Sequence, residues 1–79
     1  MGLNKYNNKW SFWIDRGGTF TDIIAKDPLG KFHKKKILSH NPIFYEDSIL
    51  EGIKYFLKAK SIHEVNSKLI NEVRVGTTI

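Results

Sequence analysis

Trp13-Ile14-Asp15-Arg16-Gly17-Gly18-Thr19-Phe20-Thr21-Asp22 joins two apolar, strand-like runs through a turn of glycine and threonine, with a carboxylate at each end. Glycines let backbone N–H groups approach an anion, threonine hydroxyls add donors, and Asp15 can face a cation through oxygen. A phosphate tail with its metal ion requires this set of groups. Plainer readings compete with it. Asp15 ends a strand of mostly apolar side chains, where it could pair with Arg16 or cap the turn, since burying it alone would be costly. The glycines could supply positive φ to an ordinary hairpin. Hairpin chemistry accounts for the two glycines, but not for an acid before them and Thr-Phe-Thr-Asp after. Asp22 stays open between hairpin cap and site residue. The turn is not a P-loop, because no Gly-Lys-Ser/Thr follows and it leads into a strand, and a dinucleotide fingerprint is absent as well.

On the N-terminal side of this turn, strand one runs from about Lys9 to Asp15. Trp10, Phe12 and Ile14 point one way; Trp13 points the other, beside Ser11 and Asp15. Aromatics on both faces predict a strand covered on both sides. Phe20 to Ala25 supplies strand two, and Asp27-Pro28-Leu29-Gly30 matches a type I turn into strand three, from roughly Lys31 to Leu38. Two tight connections make these strands an antiparallel meander. After the break at Ser39-His40-Asn41-Pro42, a helix should start near Asp47 or Ser48, where Ser48-x-x-Glu51 fits a capping box. Ile49, Leu50, Ile53, Phe56 and Leu57 form its apolar stripe. Gly52 inside it predicts a close approach to the sheet, and Lys54, Lys58 and Lys60 lie on its wet side and end. Ser61-x-x-Glu64 opens a short second helix carrying Ile62 and Val65, and Glu72 to Val75 reads as strand four, beside strand one.

The order β-β-β-α-β defines an α/β unit of the α+β kind, a meander followed by a crossover. Residues 1–8 read as a polar leader, and residues 9–79 as part of an N-terminal domain truncated at its C-terminus. The 79 residues allow one small domain with a modest core, and no cysteine is present to staple it. A hydrophobic content of 41% argues against disorder. Formal charge is +5, and eleven of the 13 basic residues are lysine, spread along the chain apart from Lys34-Lys35-Lys36. That balance suits anionic ligands without implying nucleic acid. Strand alternation sends Lys35 away from its two neighbours, so a solvated strand is favoured over a nucleic-acid patch. His33, His40 and His63 lack metal-site spacing, and Trp10 and Trp13 read as strand-core aromatics rather than base-stacking platforms. No apolar run reaches membrane-spanning length and no signal-peptide pattern is present, so the expectation is a cytoplasmic protein with no nucleic-acid or membrane partner.

Three blocks, in order, resemble the hydantoinase A and 5-oxoprolinase family: Ile14 to Asp22, then Glu51-Gly52-Ile53, then Val73-Arg74-Val75-Gly76-Thr77-Thr78. The likeness runs from about Phe12 to the last residue. It implies the actin-like, ribonuclease H-like and sugar-kinase-like ATPase fold, whose first β-hairpin is the phosphate-1 loop, with ATP and Mg²⁺ as cofactors. By position, Asp15 would hold Mg²⁺ through water. Gly17, Gly18 and Thr19 would lie along the terminal phosphates with Thr21 supporting, and Gly76, Thr77 and Thr78 would open a loop on the substrate side. No residue is given a catalytic role.

The activity that the resemblance implies is ATP-driven opening of a cyclic amide. 5-Oxoproline opening to glutamate is the first expectation, with a hydantoin as the other ring. Phosphorylating the amide oxygen would make the ring carbonyl susceptible to water. A sugar-kinase-like phosphotransferase or acetone-carboxylase-type subunit would keep the fold and change the reaction; a small basic binding module is the reading from another class. The expected partners are the cyclic amide and the missing downstream chain or a partner subunit. With a second phosphate loop, an adenosine pocket and an opposing domain all outside it, the 79-residue chain alone is expected to be inactive.

Overall fold

The computed structural model describes residues 9–77; the leader over residues 1–8, Thr78, Ile79, and the side chains of Ile62 and Thr77 fall outside the described residues. Strands β1 (Trp10–Arg16), β2 (Phe20–Lys26) and β3 (Phe32–Leu38) precede helix α1 (Ser48–Leu57), and β4 (Ile70–Thr77) closes the order. They form one mixed sheet in the spatial order β3-β2-β1-β4. β1–β2 and β2–β3 are antiparallel, whereas β4 lies parallel to β1. The expected β-β-β-α-β order, the meander and the place of the fourth strand beside the first are therefore found.

Alternation along the strands separates two faces. Phe12 and Ile14 of β1 stand with Ile23 and Ala25 of β2 on one face, and Ile53 of α1 completes this buried core. Trp10 extends it, with ring centroids 6.0 Å from Phe12 and 5.8 Å from Phe56. The other face carries Trp13, which meets Phe32 at 6.1 Å, together with the exposed Phe20, Ile24 and Leu38. The expectation that strand one is covered on both sides is thus corrected. Only the α1 side is covered by another element among the described residues; on the second face Phe20 and Phe32 are exposed and Trp13 is half-buried. On the helix side, Val73 and Val75 of edge strand β4 are also 39% and 49% exposed.

The connections follow their local chemistry. Gly30 N–H donates to the Asp27 carbonyl at 2.9 Å, and Gly30 takes φ 90°, so the Asp-Pro-Leu-Gly turn forms as read. Asp47, in extended geometry, caps α1 by accepting from Ile49 N–H at 2.8 Å and Leu50 N–H at 3.3 Å. The Ser48 capping box is corrected accordingly: the Ser48 hydroxyl is engaged by Thr21, and Glu51 pairs with Lys54 at 3.2 Å. Leu50 also leaves the stripe, being 40% exposed. The helix ends at Leu57, with Lys58 in the left-handed region at φ 57°.

Beyond it, Ile62–Glu64 is a single 3₁₀ turn in which Glu64 accepts from Lys60 N–H at 3.1 Å. A second 3₁₀ turn, Ser67–Leu69 capped by Asn66, leads directly into β4, which is longer than the Glu72–Val75 expected. No helix among the described residues is long and apolar enough to cross a membrane.

Candidate functional site

Register places the site. Asp15 of β1 lies opposite Asp22 of β2 and beside Gly76 of β4, and Asp22 lies opposite Lys36 of β3. Lys36, Asp22, Asp15 and Gly76 therefore form one transverse row across all four strands, on the face that α1 leaves open. Like charges directly opposite on neighbouring strands destabilise a sheet. The Lys36 ammonium, 3.8 Å from Asp22 Oδ1, offsets part of this. Both partners of that ion pair are more than half exposed, so it contributes little. A divalent cation would offset the repulsion far more effectively, and an Mg²⁺ ion is commonly held by one or two carboxylates plus water and phosphate oxygens. Among the described residues no cluster of three metal-ligating side chains occurs, so the protein's share of such a site would be this carboxylate pair.

The row borders a concave region of about 720 Å³ on the open face. Trp13 and Ile24 form its floor; Asp15, Asp22 and Gly76 mark one end, and Lys34, Lys36 and Arg74 edge it. Cations and apolar floor together suit an anionic ligand with a flat apolar part. Lys35 points to the helix side instead, its ammonium 4.1 Å from the Tyr55 ring centroid, so the three consecutive lysines do not form one patch. Arg74 pairs with Glu72 at 2.9 Å.

At the same end of the sheet lies the hairpin. Gly17 N–H donates to Phe20 O at 2.9 Å, closing the turn. Neither Gly17 nor Gly18 adopts positive φ, since Gly30 is the glycine that does so among the described residues. The reading in which the pair merely serves a left-handed turn is overturned by this geometry. The two glycines differ in what surrounds them. A β-carbon at Gly17 would stand 3.0 Å from the Phe20 carbonyl oxygen, but at Gly18 or Gly76 it would meet nothing within 4 Å. Among the described residues, no atom within 4 Å accounts for the missing side chains at Gly18 and Gly76. A ligand lying against the backbone there would.

Thr19 is exposed at the turn. Thr21 is not: its side chain is fully buried on the helix side, bonded to Ser39 and Ser48 at 2.8 Å each. It supports the hairpin from beneath and presents no hydroxyl to the open face. Thr77 continues β4 in register with Arg16, and Thr78 lies outside the described residues. Ser39 and Ser48 are site neighbours that sequence reasoning missed. Locally Ser39 reads as part of a loop and Ser48 as a helix cap; only the tertiary contact with Thr21 reveals them.

Away from the site, His33 Nε2 lies 2.9 Å from Asp27 Oδ2, while His40 and His63 are exposed. Hydrogen bonding from His33, then from the Lys31 N–H, holds the Asp27 carboxyl below its ordinary value.

A mixed four-stranded sheet backed by one helix, with a carboxylate-flanked glycine hairpin at its end, defines a small α+β unit built around an exposed loop. The family described as hydantoinase/oxoprolinase N-terminal region matches residues 11–79. The chain belongs to this family. It is 39% identical to a 5-oxoprolinase of Dictyostelium discoideum, an alignment covering 100% of the chain and 7% of that protein. It is 38% identical to 5-oxoprolinase 1 of Arabidopsis thaliana over 90% of the chain and 6% of the relative. A 5-oxoprolinase of Saccharomyces cerevisiae is 36% identical over 84% of the chain and 6% of its own length. The chain thus spans 6–7% of the length of these curated relatives. No solved structure is significantly similar to it.

Proposed function

We propose that this unit is the phosphate-binding front of an ATP-dependent cyclic-amide hydrolase, cytoplasmic and of the 5-oxoprolinase type. In this reading the full polypeptide opens 5-oxoproline to glutamate with hydrolysis of ATP. The remaining chain or a partner subunit supplies the adenosine pocket, the second phosphate loop and the substrate site within an actin-like fold. Asp15, beside Asp22, holds Mg²⁺ through water. Gly17, Gly18 and Thr19 lie along the terminal phosphates, with Thr21 as the prop beneath them. Gly76, Thr77 and Thr78 lead toward the substrate. When bound, Mg²⁺ and ATP supply the phosphoryl group and its charge neutralisation; this chain's residues bind and orient them.

The observation that carries the reading is the row Asp22–Asp15–Gly76 at the hairpin end of the sheet, where a β-carbon at Gly18 or Gly76 would meet no atom within 4 Å among the described residues. The names of the relatives support the choice of substrate. Glutamate release from 5-oxoproline by the full polypeptide is the test. Release that requires both ATP and Mg²⁺ is expected. ATP hydrolysis stimulated by a sugar or by a ketone, with no glutamate formed from 5-oxoproline, would move the protein to a phosphotransferase or carboxylase reaction on the same fold.

A further inference from the structure

Three hydroxyls are buried together where the hairpin, the end of β3 and the first turn of α1 meet. Thr21 and Ser48 are fully buried and Ser39 is 6% exposed. Thr21 Oγ1 lies 2.8 Å from Ser39 Oγ and 2.8 Å from Ser48 Oγ, and Ser39 Oγ donates to the Gly17 carbonyl at 2.6 Å. Each hydroxyl has one proton to give. Ser39 gives its proton to Gly17, so Thr21 must be the donor to Ser39. Thr21 then has none left, so Ser48 must donate to Thr21. The proton directions are forced along the whole chain, from Ser48 through Thr21 and Ser39 to the Gly17 oxygen.

We propose that Ser48, Thr21 and Ser39 are positioning residues: a one-way hydroxyl chain that anchors the Gly17 carbonyl and so aims the Gly18 N–H at a bound phosphate. This rests on the reading of the hairpin as a phosphate loop. The peptide unit is planar, so fixing the oxygen of Gly17 fixes the direction of the N–H on Gly18. Hydrogen bonds in series polarise one another, and electron density drawn onto the Gly17 oxygen makes the Gly18 N–H a stronger donor. Ser39 acts on both sides of that glycine, because its own N–H donates to the Thr19 carbonyl at 2.8 Å. Gly18 is thereby bracketed by two contacts from one residue while its own surroundings stay open.

Apolar side chains of similar volume would fill the same space and leave no buried hydroxyl to satisfy. What they could not do is hold a carbonyl in place. The chain also links the loop to α1, since Ser48 is that helix's first residue.

The test compares Ser39→Ala, Thr21→Val and Ser48→Ala in the full polypeptide, reading Mg-ATP affinity by calorimetry and thermal midpoint by scanning. Ser39→Ala should weaken Mg-ATP binding roughly tenfold, the equivalent of losing one well-made hydrogen bond. Thr21→Val should weaken it less, and Ser48→Ala, which leaves the last two links intact, by under about twofold. The ranking should follow distance from Gly17 and not the drop in thermal midpoint, which a buried hydroxyl lost at any of the three positions will cause. If Ser39→Ala does not fold, Ser39→Cys, a weaker donor of similar size, takes its place in the ranking. Affinity losses that merely track thermal midpoint, or wild-type affinity in the Ser39 variant, would overturn the positioning role and leave the phosphate loop standing. Wild-type protein that does not bind Mg-ATP at all would overturn the loop reading, and this proposal with it.

Discussion

Gly52 of α1 packs so closely on Ile23 of β2 that a β-carbon at position 52 would overlap the Ile23 Cδ1 atom. Two effects oppose each other at this position. Helix propensity alone favours alanine over glycine by about 1 kcal/mol. Packing disfavours it, because Ile23 is 1% exposed, its Cγ1 is also only 3.1 Å from the added carbon, and overpacking costs about 1–3 kcal/mol. Packing should win. Gly52→Ala is expected to lower the unfolding free energy by about 1–2 kcal/mol in urea denaturation. A gain in stability would mean that the helix sits farther from the sheet.

The hairpin glycines should separate fold from function. Gly17→Ala places a methyl group 3.0 Å from the Phe20 carbonyl, a backbone atom held by the Gly17 N–H itself, so about 1–3 kcal/mol of stability should be lost. Gly18→Ala meets no atom within 4 Å among the described residues and no positive φ, so the folded state tolerates it. Reduced freedom of the unfolded chain should even add about 0.4–1 kcal/mol. Yet its methyl group occupies the side where a phosphate would lie, and Mg-ATP affinity should fall roughly tenfold or more. Thermal midpoints and calorimetric titrations of the two variants check both halves. Unchanged affinity in Gly18→Ala would detach that glycine from the site.

Acid should loosen the second hairpin through Asp27. Its Oδ1 accepts from the Leu29 and Lys31 N–H groups at 2.9 Å, and its Oδ2 meets His33, whose ring packs against Trp10 and Phe56. These bonds hold the folded-state pKa below its ordinary 3.8. A depressed carboxyl pKa contributes stability that is fully present above the unfolded value and lost as pH falls through the folded one. Unfolding free energy should therefore decline below about pH 4 for this reason. In Asp27→Asn, whose amide oxygen still accepts the two N–H bonds, that part of the decline should be absent. Urea midpoints of both proteins between pH 5 and pH 2 measure it. Parallel curves would show that the Asp27 pairings do not survive in solution.

Much of this fold was legible from local chemistry. Asp-Pro-Leu-Gly, the alternation of Trp10, Phe12 and Ile14 against Trp13, and Gly52 within an apolar stripe each carry their meaning within a few residues. The transverse row was only half legible. Asp15 and Asp22 announce themselves beside the glycines, but their pairing with Lys36 and Gly76 depends on register across strands distant in sequence. Asp47 and Ser48 both suit a helix cap, and nothing local decides between them. Thr21 decides it, by drawing the Ser48 hydroxyl into the core. Thr21 belongs to the glycine–threonine motif by position, whereas strand alternation from the buried Ile23 puts it on the helix side. The open second face was hidden for another reason: two-sided apolar patterning records what a strand is suited to pack against, not what this stretch of chain provides.

In the proposed phosphate loop Asp15 holds a divalent cation against nucleotide phosphates, and the sign of one charge tests this role. Calorimetry of ATP binding to the full polypeptide, wild type and Asp15→Asn, with and without Mg²⁺, separates the possibilities. A carboxylate that serves the metal repels bare ATP, so without Mg²⁺ the variant should bind ATP as well as wild type or better. With Mg²⁺ the order should reverse, the variant binding at least roughly tenfold more weakly because the cation has lost its protein anchor. Equal Mg²⁺ enhancement in both proteins, or equal weakening of the variant with and without Mg²⁺, would make Asp15 a structural cap and not a metal holder.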